Sequence, residues 1–144
     1  MPNISAATSR KRRLLGNVVH SLLLFGAPIW ADRMSAKGTA EMAKVQRKTV
    51  LRVASAYCTV VSTNAALVVA SMPPIDLLAK ERLFIYSNKV DPEARGKARD
   101  GTLESWQTWW NKPGPGRWTY HLIPSIAQWL NRKHDDVDFH LTNS

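Results

Sequence analysis

Between Arg13 and Lys89 apolar residues recur at intervals of three and four, and no stretch bounded by turn residues sustains an alternation of apolar and polar side chains. The first pattern is the period of a helix, and the absence of the second leaves little room for strands, so the chain reads as all-α. Leu14, Leu15, Val18, Val19, Leu22, Leu23 and Phe25 fall on one broad helical arc, with Gly16, Asn17, His20 and Ser21 opposite. That division predicts a helix whose apolar arc is well buried. Gly26 and Pro28 should end or kink it, because proline lacks an amide donor and disfavours helical geometry in Ala27 before it.

A second helix is predicted from Thr39 to about Tyr57, with Met42, Val45, Thr49, Val50 and Val53 on one face and Lys44, Arg47, Lys48 and Arg52 on the other. Only Leu51 breaks the division. Ser62 or Thr63 is placed to cap a third helix through Ala70, where a side-chain oxygen would satisfy free amides of the first turn, and Met72-Pro73-Pro74 stops it. Pro74 suits the first position of a fourth helix, Ile75 to about Lys89, and Asp76 places a negative charge at its positive end.

Pro92 and the mixed-charge stretch 93–100, which contains Gly96, read as a mobile or weakly helical connection with a soft boundary near Asp91. The chain divides there into residues 1–90 and a Trp-rich segment, 91–144. In the latter, Leu103, Trp106 and Trp110 recur at helical spacing. Lys112-Pro113-Gly114-Pro115-Gly116 must be a loop, and Ser125 after Pro124 caps a short helix through Asn131.

Charge adds a functional direction. The formal net charge is +9, and residues 1–52 hold ten Lys/Arg against Asp32 and Glu41, while residues 53–144 hold ten against nine acids. A regional excess of this kind favours polyanions, nucleic acid first and an anionic membrane surface second. The basic groups Arg10-Lys11-Arg12-Arg13 and Lys44, Arg47, Lys48 and Arg52 are the candidate phosphate contacts.

Other chemistry finds little purchase. Cys58 is the single cysteine, so an intrachain disulfide and a Cys-rich zinc site are both excluded, and a reducing, intracellular compartment fits, nuclear or cytoplasmic. The neighbours of Cys58 offer no base to activate it. The basic run before Leu14 to Ala31 has the outline of a signal peptide or anchor. Gly16, Asn17, His20, Ser21, Gly26 and Pro28 interrupt it, and no transmembrane span is expected of it. His20, His121, His134 and His140 form no zinc-binding pair with a Glu or Cys. Asp135, Asp136 and Asp138 follow Arg132-Lys133-His134 and not an apolar strand, so they read as a solvated patch and not as Mg²⁺ ligands. No cofactor, metal or small-molecule substrate is expected. Trp106 and Trp110 share a helical face with Leu103 and read as core, whereas Trp109 and Trp118 stay open as core residues or stacking platforms.

A string of phrases carries a more specific signal. Met1-Pro2-Asn3-Ile4, Arg12-Arg13-Leu14-Leu15, Val18-Val19-His20-Ser21 and Phe25-Gly26-Ala27-Pro28-Ile29-Trp30-Ala31 are followed in order by Val45-Gln46-Arg47 and Leu51-Arg52-Val53-Ala54-Ser55-Ala56-Tyr57. Ala65-Ala66-Leu67-Val68-Val69-Ala70, Pro73-Pro74-Ile75-Asp76-Leu77-Leu78-Ala79, Gly116-Arg117-Trp118-Thr119, Leu122-Ile123-Pro124 and Val137-Asp138-Phe139-His140-Leu141-Thr142 complete it. In this order the phrases resemble insect non-LTR (LINE-type) retrotransposon reverse transcriptases in the thumb and post-thumb region. Cys58 stands where that family commonly has a basic residue, and Thr59-Val60-Val61-Ser62-Thr63 carries one valine more than its pattern.

The resemblance implies a helical, thumb-like bundle followed by a Trp-rich segment of helix and loop. It implies a region of an RNA-directed DNA polymerase that follows the catalytic palm and precedes a Cys/His zinc knuckle. It also implies non-specific contact with an RNA–DNA hybrid or other duplex, without catalysis by this chain. The alternatives are an inert translated retroelement remnant and, from another class, a small membrane-associated or organelle-targeted protein.

Overall fold

The computed structural model of the chain describes residues 4–54 and 62–131. These form α1 (Ile4–Leu23), α2 (Ala27–Trp30), α3 (Ala36–Val53), α4 (Thr63–Ala70), α5 (Ile75–Ser87), α6 (Ala94–Asn111) and α7 (Arg117–Leu122), followed by a helical segment over 126–131. No strand occurs among the described residues, and the all-α expectation holds. No helix of the described residues is long and apolar enough to cross a membrane.

The breaks have local causes. Gly26 adopts φ +71°, which turns the chain from α1 into α2 with Pro28 in its first turn. Ser35 caps α3, its hydroxyl accepting the Gly38 N–H at 3.1 Å. The third helix starts where expected, but by other means: Ser62 precedes it without a side-chain cap, and the Thr63 hydroxyl is occupied by Arg47. Pro74 stands just before α5, and the stretch 93–100, expected to be a weak connection, supplies Glu93 ahead of α6 and its first two turns. Asp91 holds that start in place, accepting the Glu93 N–H and Lys97 Nζ, both at 2.9 Å. Ser125 caps the last segment as predicted, accepting the Gln128 N–H at 3.4 Å.

α1 packs on α3, α3 also on α4 and α5, α2 on α5, and α5 on α6. The larger core gathers Val50, Ala65 to Val68, Met72, Trp106, Trp110 and Ile126, and a second one joins Leu24, Ala27, Ile75 and Ala79. Two glutamines fasten irregular segments to these cores in the same way. Gln46 donates to Pro73 O at 2.8 Å and accepts the Ile75 N–H at 2.9 Å; Gln107 donates to Pro124 O at 2.9 Å and accepts the Ile126 N–H at 2.8 Å. Each satisfies the carbonyl of a proline and the first amide of the helical segment that follows, groups that would otherwise lose a partner on burial.

α1 overturns one expectation. Its inward face is Gly16, His20 and Leu24, whereas Leu14, Leu15, Val18 and Leu22 point outward and Leu22 is 72% exposed. A Cβ on Gly16 would lie 2.9 Å from Val53 Cγ2 and 3.0 Å from Met72 Cε, so this face lets α1 and α3 approach closely because it is small. The period assigned the two faces correctly, but the predicted inside is the outside.

Candidate nucleic-acid interface

α3 carries the predicted basic face in a narrower form. Lys44, Lys48 and Arg52 are spaced by four and form one exposed stripe, turned away from the packed face of Gln46, Val50 and Val53. At 1.5 Å per residue the stripe is about 12 Å long. Exposed Lys37 stands on the same face one heptad before Lys44 and extends it, although the sequence pattern had not singled it out. Lys44 meets Glu41 at 3.0 Å, but both side chains are well exposed and such pairs contribute only about 0–1 kcal/mol, so Lys44 stays available to a phosphate.

Arg47 does not belong to that stripe. It lies next to buried Gln46 on the flank that faces α4, is half-buried, and donates from Nη1 to Thr63 Oγ1. Its immediate work is to tie α3 to the start of α4 across the intervening residues.

The cluster at the head of α1 divides too. Arg10 and Lys11 are exposed, while Arg12 and Arg13, four and three positions before Gly16, share its inward side and are half-buried. Arg12 Nε is screened from solvent without a hydrogen-bond partner. α1 and α3 run antiparallel, since Gly16 meets Val53 and His20 meets Gln46. The basic end of α1 therefore extends past the end of α3 that carries Arg52, which joins the two clusters into one discontinuous basic surface.

His20 shows how firmly that pair is held. Gln46 must present its amide nitrogen to Pro73 O and its oxygen to the Ile75 N–H, so the same nitrogen is what faces His20 Nε2 at 3.0 Å. His20 Nε2 is then the acceptor, and the ring is neutral with its proton on Nδ1. Burial lowers its pKa below the ordinary imidazole value, in the same direction.

The remaining chemical candidates resolve as follows. Trp106 and Trp110 are buried, and Trp110 donates Nε1–H to Ile123 O at 2.8 Å. Trp109 and Trp118 are exposed, His121 is exposed beside Tyr120, and Arg117 stacks its guanidinium 3.7 Å from the Tyr120 ring centre. Among the described residues no group of three His, Cys, Asp or Glu could hold a metal ion. Cys58, His134, His140, Asp135, Asp136 and Asp138 lie outside the described residues. A second concentration of cations was missed: Arg82 and Lys89 at α5 and Arg95 and Arg99 on α6 line one cleft. They come from two helices and share no local pattern, so nothing in the spacing announced them.

No protein-family model matches the chain, and no solved structure matches it significantly. Over 143 aligned residues it is 27% identical to a 115 kDa protein in the type-1 retrotransposable element R1DM of Drosophila melanogaster, an alignment that takes in 81% of this chain and 13% of that protein. The chain is thus similar, over most of its length, to a small part of a protein of a retrotransposable element.

Proposed function

We propose that this chain is a region of a non-LTR retrotransposon reverse transcriptase from beyond the catalytic palm, and that it grips a nucleic-acid duplex through its basic surface without catalysing any reaction. The observation that carries the reading is the exposed stripe of Lys44, Lys48 and Arg52 on a helix of a chain similar to a retroelement protein. Neighbouring cations on one rigid helix neutralise phosphates and release their condensed counterions, a contribution indifferent to base sequence. Arg10 and Lys11 extend the contact from α1, and Arg47 with Arg12 and Arg13 holds the helices that present it. An RNA–DNA hybrid is the duplex a polymerase of this class would produce, and a nuclear or cytoplasmic setting follows from the same reading.

The test is binding of the chain to an RNA–DNA hybrid across a salt series. Affinity should fall by about 0.9 log units per log unit of salt for each B-form phosphate contact, with the hybrid differing somewhat in slope. Replacing Lys44, Lys48 and Arg52 by Gln should weaken binding and flatten that dependence, while helical content stays the same because Gln is a good helix former. Arg47 is left in place, because its loss would disturb α4. Unaltered affinity and slope in the triple variant would rule out the stripe. No hybrid binding by the parent chain at low salt would favour an inert remnant.

A further inference from the structure

The end of α1, α2, α5 and the start of α6 enclose a cleft of about 890 Å³. Its size is that of a ligand site, for which about 300–1,000 Å³ is usual. Its charge is what distinguishes it. Both acids in its wall are engaged, Glu81 Oε1 with Arg99 at 3.0 Å and Asp91 with Lys97 at 2.9 Å. Lys89 Nζ stands 4.1 Å from the Tyr86 ring centre. Arg82 and Arg95 are exposed and have no acidic partner among the described residues. Two uncommitted guanidiniums thus face a concave space that also carries Phe25, 84% exposed, and half-exposed Tyr86.

An exposed phenyl ring beside unpaired arginines suits a ligand with both a flat apolar face and an anionic backbone. A duplex keeps its base faces stacked and hidden, whereas an unpaired strand offers them. We propose that this cleft binds a short run of single-stranded nucleic acid, with phosphates on Arg82 and Arg95 and a base stacked on Phe25. Tyr86, with Lys89 over its ring, forms the neighbouring wall. None of the α3 stripe lines the cleft, so the inference stands apart from duplex binding and goes beyond it.

The experiment measures fluorescence anisotropy of a labelled oligouridylate eight-mer and of an RNA–DNA hybrid with the full chain at low salt. Four variants are compared with the parent: Arg82→Gln/Arg95→Gln, Phe25→Ala, Phe25→Trp and Lys44→Gln/Lys48→Gln/Arg52→Gln. A lost stacking contact is worth roughly 5- to 100-fold in affinity, so Phe25→Ala should weaken the eight-mer by about that factor and Phe25→Trp should hold it near the parent level. The arginine pair should cost the eight-mer about tenfold or more and steepen nothing in its salt dependence. Hybrid affinity should stay within about twofold in these cleft variants and fall in the α3 variant, the reverse of the eight-mer. Unchanged eight-mer affinity in the cleft variants would overturn the proposal, as would no eight-mer binding by the parent. Displacement of the eight-mer by polyglutamate of equal charge as effectively as by unlabelled oligouridylate would assign the cleft to anions in general and overturn it too. Hybrid binding is scored separately, so either site can fail without the other.

Discussion

α1 and α6 are both long amphipathic helices with a readable stripe, yet they use it in opposite ways. α6 turns Ala94, Ala98, Thr102, Trp106 and Trp110 inward, and its two tryptophans fill the larger core. α1 turns inward a glycine and a histidine and leaves leucine, valine and phenylalanine in solvent. The difference follows from the partners. α3 offers α1 a surface of Val53, Thr49 and Gln46 already close to Met72, where only a residue without a side chain fits at position 16. α6 meets α4 and the 126–131 segment across a space that needs bulk. A stripe states which residues travel together, and the shape of the facing surface decides which stripe goes in.

The largest effect that would test this contrast belongs to α6. Trp106→Ala should destabilise the chain by about 3–5 kcal/mol in urea unfolding, since it empties a fully buried site bordered by Leu67 and Ile126 in the same core. A loss below about 1 kcal/mol would mean that this core is not formed in solution.

Next in size is a pair of glycines. Gly16→Val forces side-chain atoms into Val53 and Met72 and should cost about 1–3 kcal/mol, more than its gain in helix propensity. Gly96→Ala in α6 meets nothing within 4 Å and should instead stabilise by roughly 0.5–1 kcal/mol, because alanine is the better helix former. Thermal midpoints moving the same way in both variants would refute the close approach of α1 to α3.

His20 should give a gentler, pH-dependent effect. Its folded pKa is lowered by burial, so between that value and the ordinary imidazole value near 6.5 the unfolded chain binds more protons than the folded one. Its contribution is complete above the unfolded pKa and is lost as pH falls toward the folded one, where a second donor would face the Gln46 amide. Unfolding free energy should therefore rise with pH through this window, and His20→Leu should flatten the rise. A slope unchanged by that substitution would place the sensitive group elsewhere. The smallest effect is expected on the outward stripe, where Leu22→Ser should change stability by no more than about 0.5 kcal/mol.

Much of the interface was legible for one reason and obscured for another. Lys44, Lys48 and Arg52 were readable because their alignment is a property of a single helix. Arg47 was grouped with them because it is three residues past Lys44, and only the position of α4 shows that it faces Thr63. Arg12 and Arg13 likewise look the same as Arg10 and Lys11 in a run of four, and it is the contact with α3 that draws two of them inward. Arg82 and Arg95 could not be found at all, because their neighbourhood exists only when α5 and α6 pack.

Local chemistry, written in the sequence alone, determined the helical class, the breaks at Gly26, Met72-Pro73-Pro74 and the 112–116 loop, the cap at Ser125, the burial of Trp106 and Trp110, and the regional excess of positive charge. These depend on φ preferences, on capping side chains and on the period of one element at a time. Tertiary structure alone decided that α1 packs through Gly16 and His20, that Gln46 and Gln107 clamp two proline segments, and that the cations divide between a stripe on α3 and a cleft between α5 and α6. Each of these is a relation between residues far apart in the chain, and it takes on an energy only when the surfaces that carry them are in contact.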